Sequence, residues 1–214
     1  MSVLRLFVAL VPCAAHRARL AEEARRWAAL EPSARAVAAE NLHGTVAFLG
    51  AVVGAEADAV AAVVRRVAAR HPPFSVTIAG LGAFPSPERP RVVWAGLDAA
   101  GDGAARMAAI ARDLASALAE AGHPVDAAER FHAHVTLARV HGPGCSEALE
   151  KALTTGTLQG TYTPEVLSDL LLMVSENDGR GVRYRPLATV PLTGQPGARD
   201  GRTGETAAGA PASS

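Results

Sequence analysis

Apolar and polar positions along the chain alternate between two periods, which predict strands and amphipathic helices in succession. Short apolar runs predict strands at 4–10 and 91–97. Apolar residues at three- and four-residue steps predict helices at 16–30, 56–70 and 103–121. The remaining predicted elements are strands at 41–49 (ended by Gly50), 74–78, 131–139, 166–175 and 182–192, and a short helix at 146–155.

The order strand, helix, strand occurs twice. Arg5 and His43 bracket the first copy, and Arg91 and His134 bracket the second. This repeat predicts two similar lobes that face each other about a pseudo-twofold axis. After Leu192 the chain is rich in Gly, Ala, Pro, Ser and Thr, which cannot bury enough apolar surface to offset its ordering entropy. We therefore expect one bilobal domain over 1–192 and a disordered tail over 193–214.

Composition places the 214-residue chain among ordinary globular proteins. Hydrophobic residues make up 49%, and 21 basic residues balance 21 acidic ones. Without a basic excess there is no electrostatic basis for a long nucleic-acid groove, so any such contact should be local. Two isolated cysteines, Cys13 and Cys145, and no apparent signal peptide or membrane span predict reduced thiols and a cytoplasmic location.

A His-x-Thr pattern occurs in two of the predicted strands, as His43–Thr45 and as His134–Thr136. Side chains two residues apart in a strand point to the same face. Two histidines with pKa values near 6.5 can act as general base and general acid in one step. Two threonine hydroxyls can donate hydrogen bonds to the non-bridging oxygens of a phosphate. The pair of strands therefore predicts metal-free phosphodiester chemistry.

Other residues near these strands admit more than one interpretation. His132 and His134 share a face at metal-ligand spacing, but no Asp, Glu or Cys cluster supplies a third ligand, so His132 is predicted to be a wall residue. Simple alternation places Arg139 off the His134 face, yet a turn at the strand end could direct it to a phosphate. We expect surface positions for His16, His71, His123 and His141, and core positions for Phe48, Trp27 and Trp94.

Four segments carry a resemblance to a known family. They are LRLFVALVP, NLHGTVAFLG, LGAFPSPERPRVVWAGL and RFHAHVTLAR, and Ser175, Gly181 and Tyr184 in the closing strand pair add to them. Over about residues 1–192 the sequence resembles the two-histidine (2H) phosphoesterase superfamily. Within it, the RNA 2′,3′-cyclic phosphodiesterases, formerly called 2′-5′ RNA ligases, are the best match.

The resemblance implies an α+β fold of duplicated β-α-β lobes, with antiparallel sheets facing a central cleft and helices outside. It implies hydrolysis of terminal 2′,3′-cyclic phosphates of RNA to 2′-phosphates, with no metal or cofactor. We also expect the protein to be a monomer. By motif position, His43 would donate a proton to the leaving 3′ oxygen and His134 would accept one from water. Thr45 and Thr136 would hold the phosphate, with Arg139 as a further candidate.

The sequence departs from the family pattern at two motif positions. Ala133 stands where Pro is frequent, and Gly44 stands where a larger apolar residue is usual, which would make that strand more flexible around His43. The same residues would also serve RNA ligation or hydrolysis of another cyclic nucleotide or a nucleotide-sugar phosphate. A non-catalytic module that binds RNA ends or nucleotides is a third alternative.

Overall fold

A computed structural model describes residues 2–97, 101–125, 131–142, 145–159, 162–177, 179 and 181–195. The elements are β1 (Val3–Leu10), α1 (Ala14–Ala28), β2 (Ala34–Ala36), β3 (Gly44–Val53), α2 (Ala57–Ala68), β4 (Phe74–Val76), β5 (Ile78–Phe84), β6 (Val92–Leu97), α3 (Gly103–Glu120), β7 (His134–Val140), α4 (Glu147–Thr155), β8 (Glu165–Leu167), β9 (Asp169–Asn177) and β10 (Val182–Pro191).

The strands of the described chain form two four-stranded antiparallel sheets. Sheet 1 has the order β10-β9-β1-β3 and sheet 2 the order β2-β7-β6-β5, and β4 pairs with β8 beside them. The two sequence repeats are the adjacent pairs β1–β3 and β6–β7, each joined through a helix. The predicted α+β fold of duplicated β-α-β units is confirmed.

Each repeat helix packs against the sheet of the other repeat. α1 follows β1 but contacts β2 and β7, and α3 follows β6 but contacts β3 and β4. The apolar stripes predicted from the sequence face these sheets, with Leu20 and Trp27 buried on α1 and Ile110 and Leu114 on α3. Burying one such side chain stabilises the fold by about 1.5–3 kcal/mol. Both sheets therefore share one apolar core, which holds the two motif strands in fixed relation.

The structure differs from the predicted elements in four places. The strand predicted at 74–78 is divided between β4 and β5, and β5 continues to Phe84. β2 lies in a segment expected to be a connection. β3 does not end at Gly50 but continues to Val53. Leu49 is an extra residue in the pairing with β1, and Gly50 adopts a positive φ of 71° that allows the strand to continue past this bulge. The strand predicted at 166–175 is divided between β8 and β9. No helix within the described ranges is long and apolar enough to cross a membrane.

The first two residues of the predicted tail form backbone hydrogen bonds with the end of α2 and the residues that follow it. The amide of Thr193 donates to the carbonyl of Ala68 at 3.3 Å, and that of Gly194 donates to the carbonyl of His71 at 3.0 Å. Residues 196–214 lie outside the described residues, so a disordered tail there stays a prediction.

The start of α1 is held by the carboxylate of Glu165 on β8. The Cys13 amide donates to Glu165 Oε2 at 2.7 Å, and His16 Nδ1 lies 2.8 Å from Oε1. His16 is only 5% exposed, so its predicted surface position is wrong. Within the described ranges, Cys13, His16 and Glu165 are the one group whose ligand atoms lie close enough to hold a metal ion, within 4.8 Å of one another. Their mutual contacts account for this proximity as a helix-capping arrangement.

Candidate active site

His43 lies immediately before β3 with both ring nitrogens engaged. Nδ1 is 2.7 Å from the Asn41 carbonyl oxygen, and Nε2 is 2.9 Å from Thr45 Oγ1. Because a carbonyl oxygen only accepts, Nδ1 carries a proton. In the neutral ring Nε2 is then the acceptor, and the Thr45 hydroxyl donates to it. His43 and Thr45 are thus already joined in the free protein.

His134, the first residue of β7, is held in the same way. Its Nδ1 lies 2.7 Å from the carbonyl oxygen of His132, two residues earlier, as Asn41 is to His43. The Nδ1 proton is again donated to the backbone, which leaves Nε2 of the neutral ring with its lone pair available. The two repeats therefore present the same tautomer of histidine.

Aromatic rings restrict the rotation of both imidazoles. The centroid of His43 lies 4.9 Å from that of Phe7 and 5.1 Å from that of Tyr184. The centroid of His134 lies 5.1 Å from that of Phe84. Trp94 contributes to the second cluster, 6.2 Å from His134 and 4.4 Å from His132.

The aromatic residues differ from their predicted environments. Trp27 is buried, as predicted. Trp94, also predicted to be a core residue, is only half-buried and forms part of the wall beside the second motif. His132 is exposed, and its ring packs on Trp94, consistent with the predicted wall position.

Gly44 brings the backbones of the two motif strands together. A Cβ atom at Gly44 would lie 3.1 Å from Met107 Cε and 3.4 Å from the carbonyl oxygen of His134. Gly44 is buried in this contact, so it permits close packing of β3 on β7 where flexibility was expected. The two His-x-Thr motifs, 91 positions apart in the chain, therefore meet at one point of the fold.

A cleft of about 590 Å³ opens at this junction. It is lined from sheet 1 by His43, Thr45 and Tyr184, and from sheet 2 by Thr136 and Arg139. His134 is not among the residues that line the cavity. It is half-buried, two residues before Thr136 and on the same face of β7. The volume suits a nucleotide-sized ligand.

An extra residue in β3 turns Phe48 towards solvent. Ala9 pairs with Thr45 and Val8 pairs with Ala47, so Val46 is an inserted residue. Because of this insertion, Phe48 lies on the same face of β3 as Thr45. Phe48 is 54% exposed, with the Arg5 guanidinium 5.9 Å from its ring centre. The predicted core position of Phe48 is wrong, because the bulge breaks the alternation on which it rested.

β7 has the same bulge at the same place. Trp94 pairs with Thr136 and Val93 with Ala138, so Leu137 is the inserted residue. Arg139 is thereby returned to the Thr136 face and lines the cleft, which resolves the alternative left open by the sequence.

The charges around the cleft favour neutral imidazoles in the free protein. Burial is the main reason that the pKa of His43 and the pKa of His134 both lie below their ordinary value. The Arg139 guanidinium lowers the pKa of both rings further. The His134 charge also lowers the pKa of His43, so the two rings interact. A bound anion would reverse these effects and favour protonation.

The polar groups that line the cleft are imidazoles, hydroxyls and guanidinium groups, with one carboxylate, that of Glu40, among the described lining residues. This set suits a phosphate rather than a hard cation, which prefers several carboxylate or carbonyl oxygens. The arrangement can deliver a proton, remove a proton and hold a phosphate between two hydroxyls.

Several residues that shape the site were not identified from the sequence. The Asn41 side chain joins β10 to the first motif, since Nδ2 donates to the Val182 carbonyl at 2.8 Å and Oδ1 accepts from the Tyr184 amide at 3.3 Å. His141, predicted at the surface, and Arg35 line the cleft. The only signal for Asn41 was its position two residues before the motif histidine.

The other histidines lie away from the cleft lining. His71, also predicted at the surface, is half-buried, and its Nε2 lies 3.0 Å from Asp113 Oδ2. His123 is half-buried.

Comparison with known proteins places this geometry in a family. The family model of the 2′-5′ RNA ligase superfamily matches residues 12–178. Proteins named RNA 2′,3′-cyclic phosphodiesterase are similar: that of Aeropyrum pernix is 40% identical over 53% of this chain and 61% of its own length. That of Aquifex aeolicus is 30% identical over 65% of this chain and 72% of its own length. The match to the Geobacillus stearothermophilus relative, 32% identical over 78% of this chain, spans about half (49%) of that protein.

Solved structures show the same fold. A crystal structure of a Thermus thermophilus protein superposes with a TM-score of 0.72 at 25% identity, covering 90% of this chain and 100% of that one. Escherichia coli LigT, crystallised with 3′-AMP, superposes with a TM-score of 0.67 at 28% identity, covering 90% and 99% of the two chains. With both His-x-Thr strands meeting at one cleft and a family model matched over most of its length, this chain belongs to the 2′-5′ RNA ligase superfamily, the two-histidine phosphoesterases.

Proposed function

We propose that the protein is an RNA 2′,3′-cyclic phosphodiesterase that converts terminal 2′,3′-cyclic phosphates to 2′-phosphates without a metal ion. The observation that carries this proposal is the matched pair of histidines, each with Nδ1 bonded to the carbonyl two residues earlier, so that Nε2 is the nitrogen that exchanges a proton. The names of the similar proteins and the 3′-AMP complex of LigT support the substrate class.

The proposed reaction assigns one proton transfer to each ring. Nε2 of neutral His134 accepts a proton from water, whose oxygen forms a new bond to phosphorus. The bond from phosphorus to the 3′ oxygen breaks, and protonated His43 gives its Nε2 proton to that oxygen. A 2′-phosphate and a free 3′ hydroxyl result. His134 then loses and His43 regains a proton by exchange with solvent, which completes the cycle.

The threonines and Arg139 stabilise the charge on the phosphate. Hydroxyl donors aimed at developing negative charge typically contribute about 10²–10³ in rate. When His43 is protonated, its Nε2 becomes a donor to Thr45 Oγ1, which frees the Thr45 hydroxyl proton for a phosphate oxygen. Protonation of the general acid and preparation of the phosphate site are therefore linked in the first motif.

The test is turnover in the presence of EDTA. Adenosine 2′,3′-cyclic phosphate and an RNA oligonucleotide with a cyclic end should both yield the 2′-phosphate, identified by ³¹P NMR or chromatography. His43→Ala and His134→Ala should each remove nearly all activity. His123→Ala, outside the cleft lining, is the matched control and should retain wild-type rates.

The same assay separates the alternatives. A joined RNA product would indicate ligation, in which a 5′ hydroxyl replaces water and the same two histidines serve. Product only from other cyclic nucleotides or nucleotide-sugar phosphates would change the substrate class. Saturable binding without multiple turnover would indicate a non-catalytic module. Either histidine variant retaining wild-type rates would exclude the two-histidine mechanism.

We further propose that the enzyme acts as a monomer in the cytoplasm. Both cysteines are free thiols, which fits a reducing compartment. Light scattering after gel filtration should give the mass of one chain.

A further inference from the structure

Two arginines lie directly opposite each other at one end of the cleft. β2 pairs with β7 so that Arg35 and Arg139 are cross-strand partners, and both side chains are exposed and line the cavity. Like charges in directly opposed positions of a sheet destabilise it. Within the described part of the chain, neither guanidinium forms an ion pair with a carboxylate. The exposed carboxylate of Glu40 lines the same cavity without an ion pair to either arginine, and an anion bound between the two guanidinium groups would relieve their repulsion.

The position of Arg35 is set by the turn that precedes β2. The buried carboxylate of Glu31 accepts from the Ser33 amide at 3.0 Å, the Ser33 hydroxyl at 2.8 Å and the Ser146 amide at 2.7 Å. These bonds, the Ser33 amide first, hold the pKa of Glu31 below its ordinary value, so the carboxylate stays ionised and the turn stays formed near neutral pH.

The guanidinium of Arg35 is itself partly anchored. Nη1 donates to the carbonyls of Pro32 at 3.1 Å and Ala34 at 2.8 Å. Both bonds use Nη1 alone, so Nε and Nη2, the pair that forms a fork towards an oxyanion, have no partner among the described residues.

The arginine pair is displaced along the strands from the two threonines, so it lies at the edge of the site for the reacting phosphate. Arg139 follows Thr136 by three residues on the same face of β7, and because Leu137 is the bulge residue this is two positions of the partner strand, about 7 Å. Arg35 stands beside Arg139 on the outer strand, roughly 5 Å away between Cα atoms. The two threonines and two histidines already supply the contacts for one phosphate. A second anion on the same ligand, displaced along β7, would meet both arginines.

We propose that Arg35 and Arg139 together bind the phosphodiester that joins the terminal nucleotide to the one before it. This inference rests on the proposed function and names its substrate class: the enzyme acts preferentially on oligonucleotide ends, not on mononucleotides. Arg139 also acts on the reacting centre, because its charge affects both histidines. Arg35 acts on the second phosphate alone, so its substitution isolates that contact.

The test compares two substrates that differ by this phosphate. One is a nucleoside 2′,3′-cyclic phosphate, and the other is a dinucleotide with the same cyclic end. Arg35→Gln should lower kcat/KM for the dinucleotide about 10- to 100-fold, as expected for a lost charge-assisted hydrogen bond. It should change kcat/KM for the mononucleotide less than about 2-fold, because its contribution there is only through long-range charge.

Two controls make the comparison specific. A dinucleotide with a neutral methylphosphonate in place of the internal phosphodiester should be turned over equally by wild type and Arg35→Gln. Arg66→Gln removes an equal charge from the exposed face of α2, outside the cleft lining, and should leave both substrates unaffected. The slope of log kcat/KM against log salt concentration for the dinucleotide should become less negative by about 0.7 in Arg35→Gln only.

Three outcomes would overturn the inference. An equal loss of kcat/KM on both substrates in Arg35→Gln would place Arg35 at the reacting phosphate. No loss on either substrate would mean that Arg35 does not contact the substrate. A loss on the methylphosphonate substrate would exclude a charge contact. If wild type turned over neither substrate, the proposed function would fail separately. Equilibrium binding of the dinucleotide and mononucleotide 2′-phosphates would then test the arginine pair. Arg35→Gln should raise the Kd of the dinucleotide and leave that of the mononucleotide nearly unchanged.

Discussion

The two motif strands, β3 and β7, share a scaffold and differ in what it presents. In both, the histidine Nδ1 is bonded to the carbonyl two residues earlier at 2.7 Å, and a bulge follows the threonine. The bulge returns the third residue after the threonine to the face of that threonine. In β3 this residue is Phe48, which is exposed and outside the cleft lining, and in β7 it is Arg139, which lines the cleft. The duplicated fold thus explains why these residues occupy equivalent positions in the two strands. The difference between their side chains explains why they have different roles.

The differences between the strands suggest how the roles divide. His43 is bonded to Thr45, whereas no such bond joins His134 to Thr136 among the described contacts. A histidine whose Nε2 has a hydroxyl partner in either protonation state suits the general acid, and an open Nε2 suits the base that must reach water. The β7 side also carries the opposed arginines, while the β3 side carries an exposed aromatic ring.

The largest expected effect comes from removing both histidines. His43→Ala and His134→Ala should each lower kcat about 10²–10⁴-fold, the usual contribution of a positioned acid or base. The double variant should be less than about 10-fold worse than the poorer single variant, because groups that act as one unit are not additive. Single-turnover kinetics at high enzyme concentration would measure all three. Strictly multiplicative losses would mean that the strands act independently.

The threonines come next. Thr45→Val and Thr136→Val keep the side-chain shape but remove the hydroxyl, and each should lower kcat about 10²-fold through lost stabilisation of the transition state. Ser in place of either threonine restores the hydroxyl and should recover most of the rate. Steady-state kinetics with the mononucleotide substrate measures this, and a change in KM alone would show that the hydroxyls serve only in binding.

Much of this arrangement is visible in the sequence because it follows regular periods. The strand and helix patterns, the repeat and the two His-x-Thr motifs are local signals, and they predict the duplicated α+β fold. The site residues that alternation could not place, Phe48 and Arg139, lie just beyond a bulge. An inserted residue leaves no mark in an apolar run such as Val46–Ala47, so counting by twos fails there.

Contacts between distant segments were also invisible. The burial of His16 depends on Glu165, 149 positions later, and β2 exists because it pairs with β7. The packing of α1 and α3 across the repeats is likewise a tertiary outcome. Gly44 was expected to loosen its strand, but Met107 and the His134 backbone occupy the space that a side chain would need.

Gly44 therefore offers a test of how closely the first motif strand packs against α3. Gly44→Val should lower the free energy of unfolding by about 1–3 kcal/mol, because the added methyl groups overpack the contact with Met107. Met107→Ala alone should also destabilise, by about 2–5 kcal/mol, through a cavity. Combined, the two changes should cost at least about 1 kcal/mol less than their sum. Denaturant unfolding measures all three, and simple additivity would mean that Gly44 and Met107 are not in contact.

The smallest effect is expected at Phe48. Phe48→Ala should change the free energy of unfolding by less than about 1 kcal/mol, as for an exposed position. Phe7→Ala, on a side chain that is 2% exposed, is the matched comparison and should cost about 3–5 kcal/mol. The same unfolding experiment measures both. A cost at Phe48 equal to that at Phe7 would return Phe48 to the core and remove the bulge from β3.

The division of labour between the two strands is tested most directly by the pH dependence of kcat/KM in EDTA. Since burial lowers the pKa of both His43 and His134, the bell-shaped profile should have its maximum below about pH 6.5, the ordinary histidine pKa. Activity should fall at lower pH as His134 is protonated and at higher pH as His43 loses its proton. Residual activity should lack the acidic limb in His134→Ala and the alkaline limb in His43→Ala. A monotonic wild-type profile, or both limbs intact in either variant, would contradict the pairing of one acid and one base across this cleft.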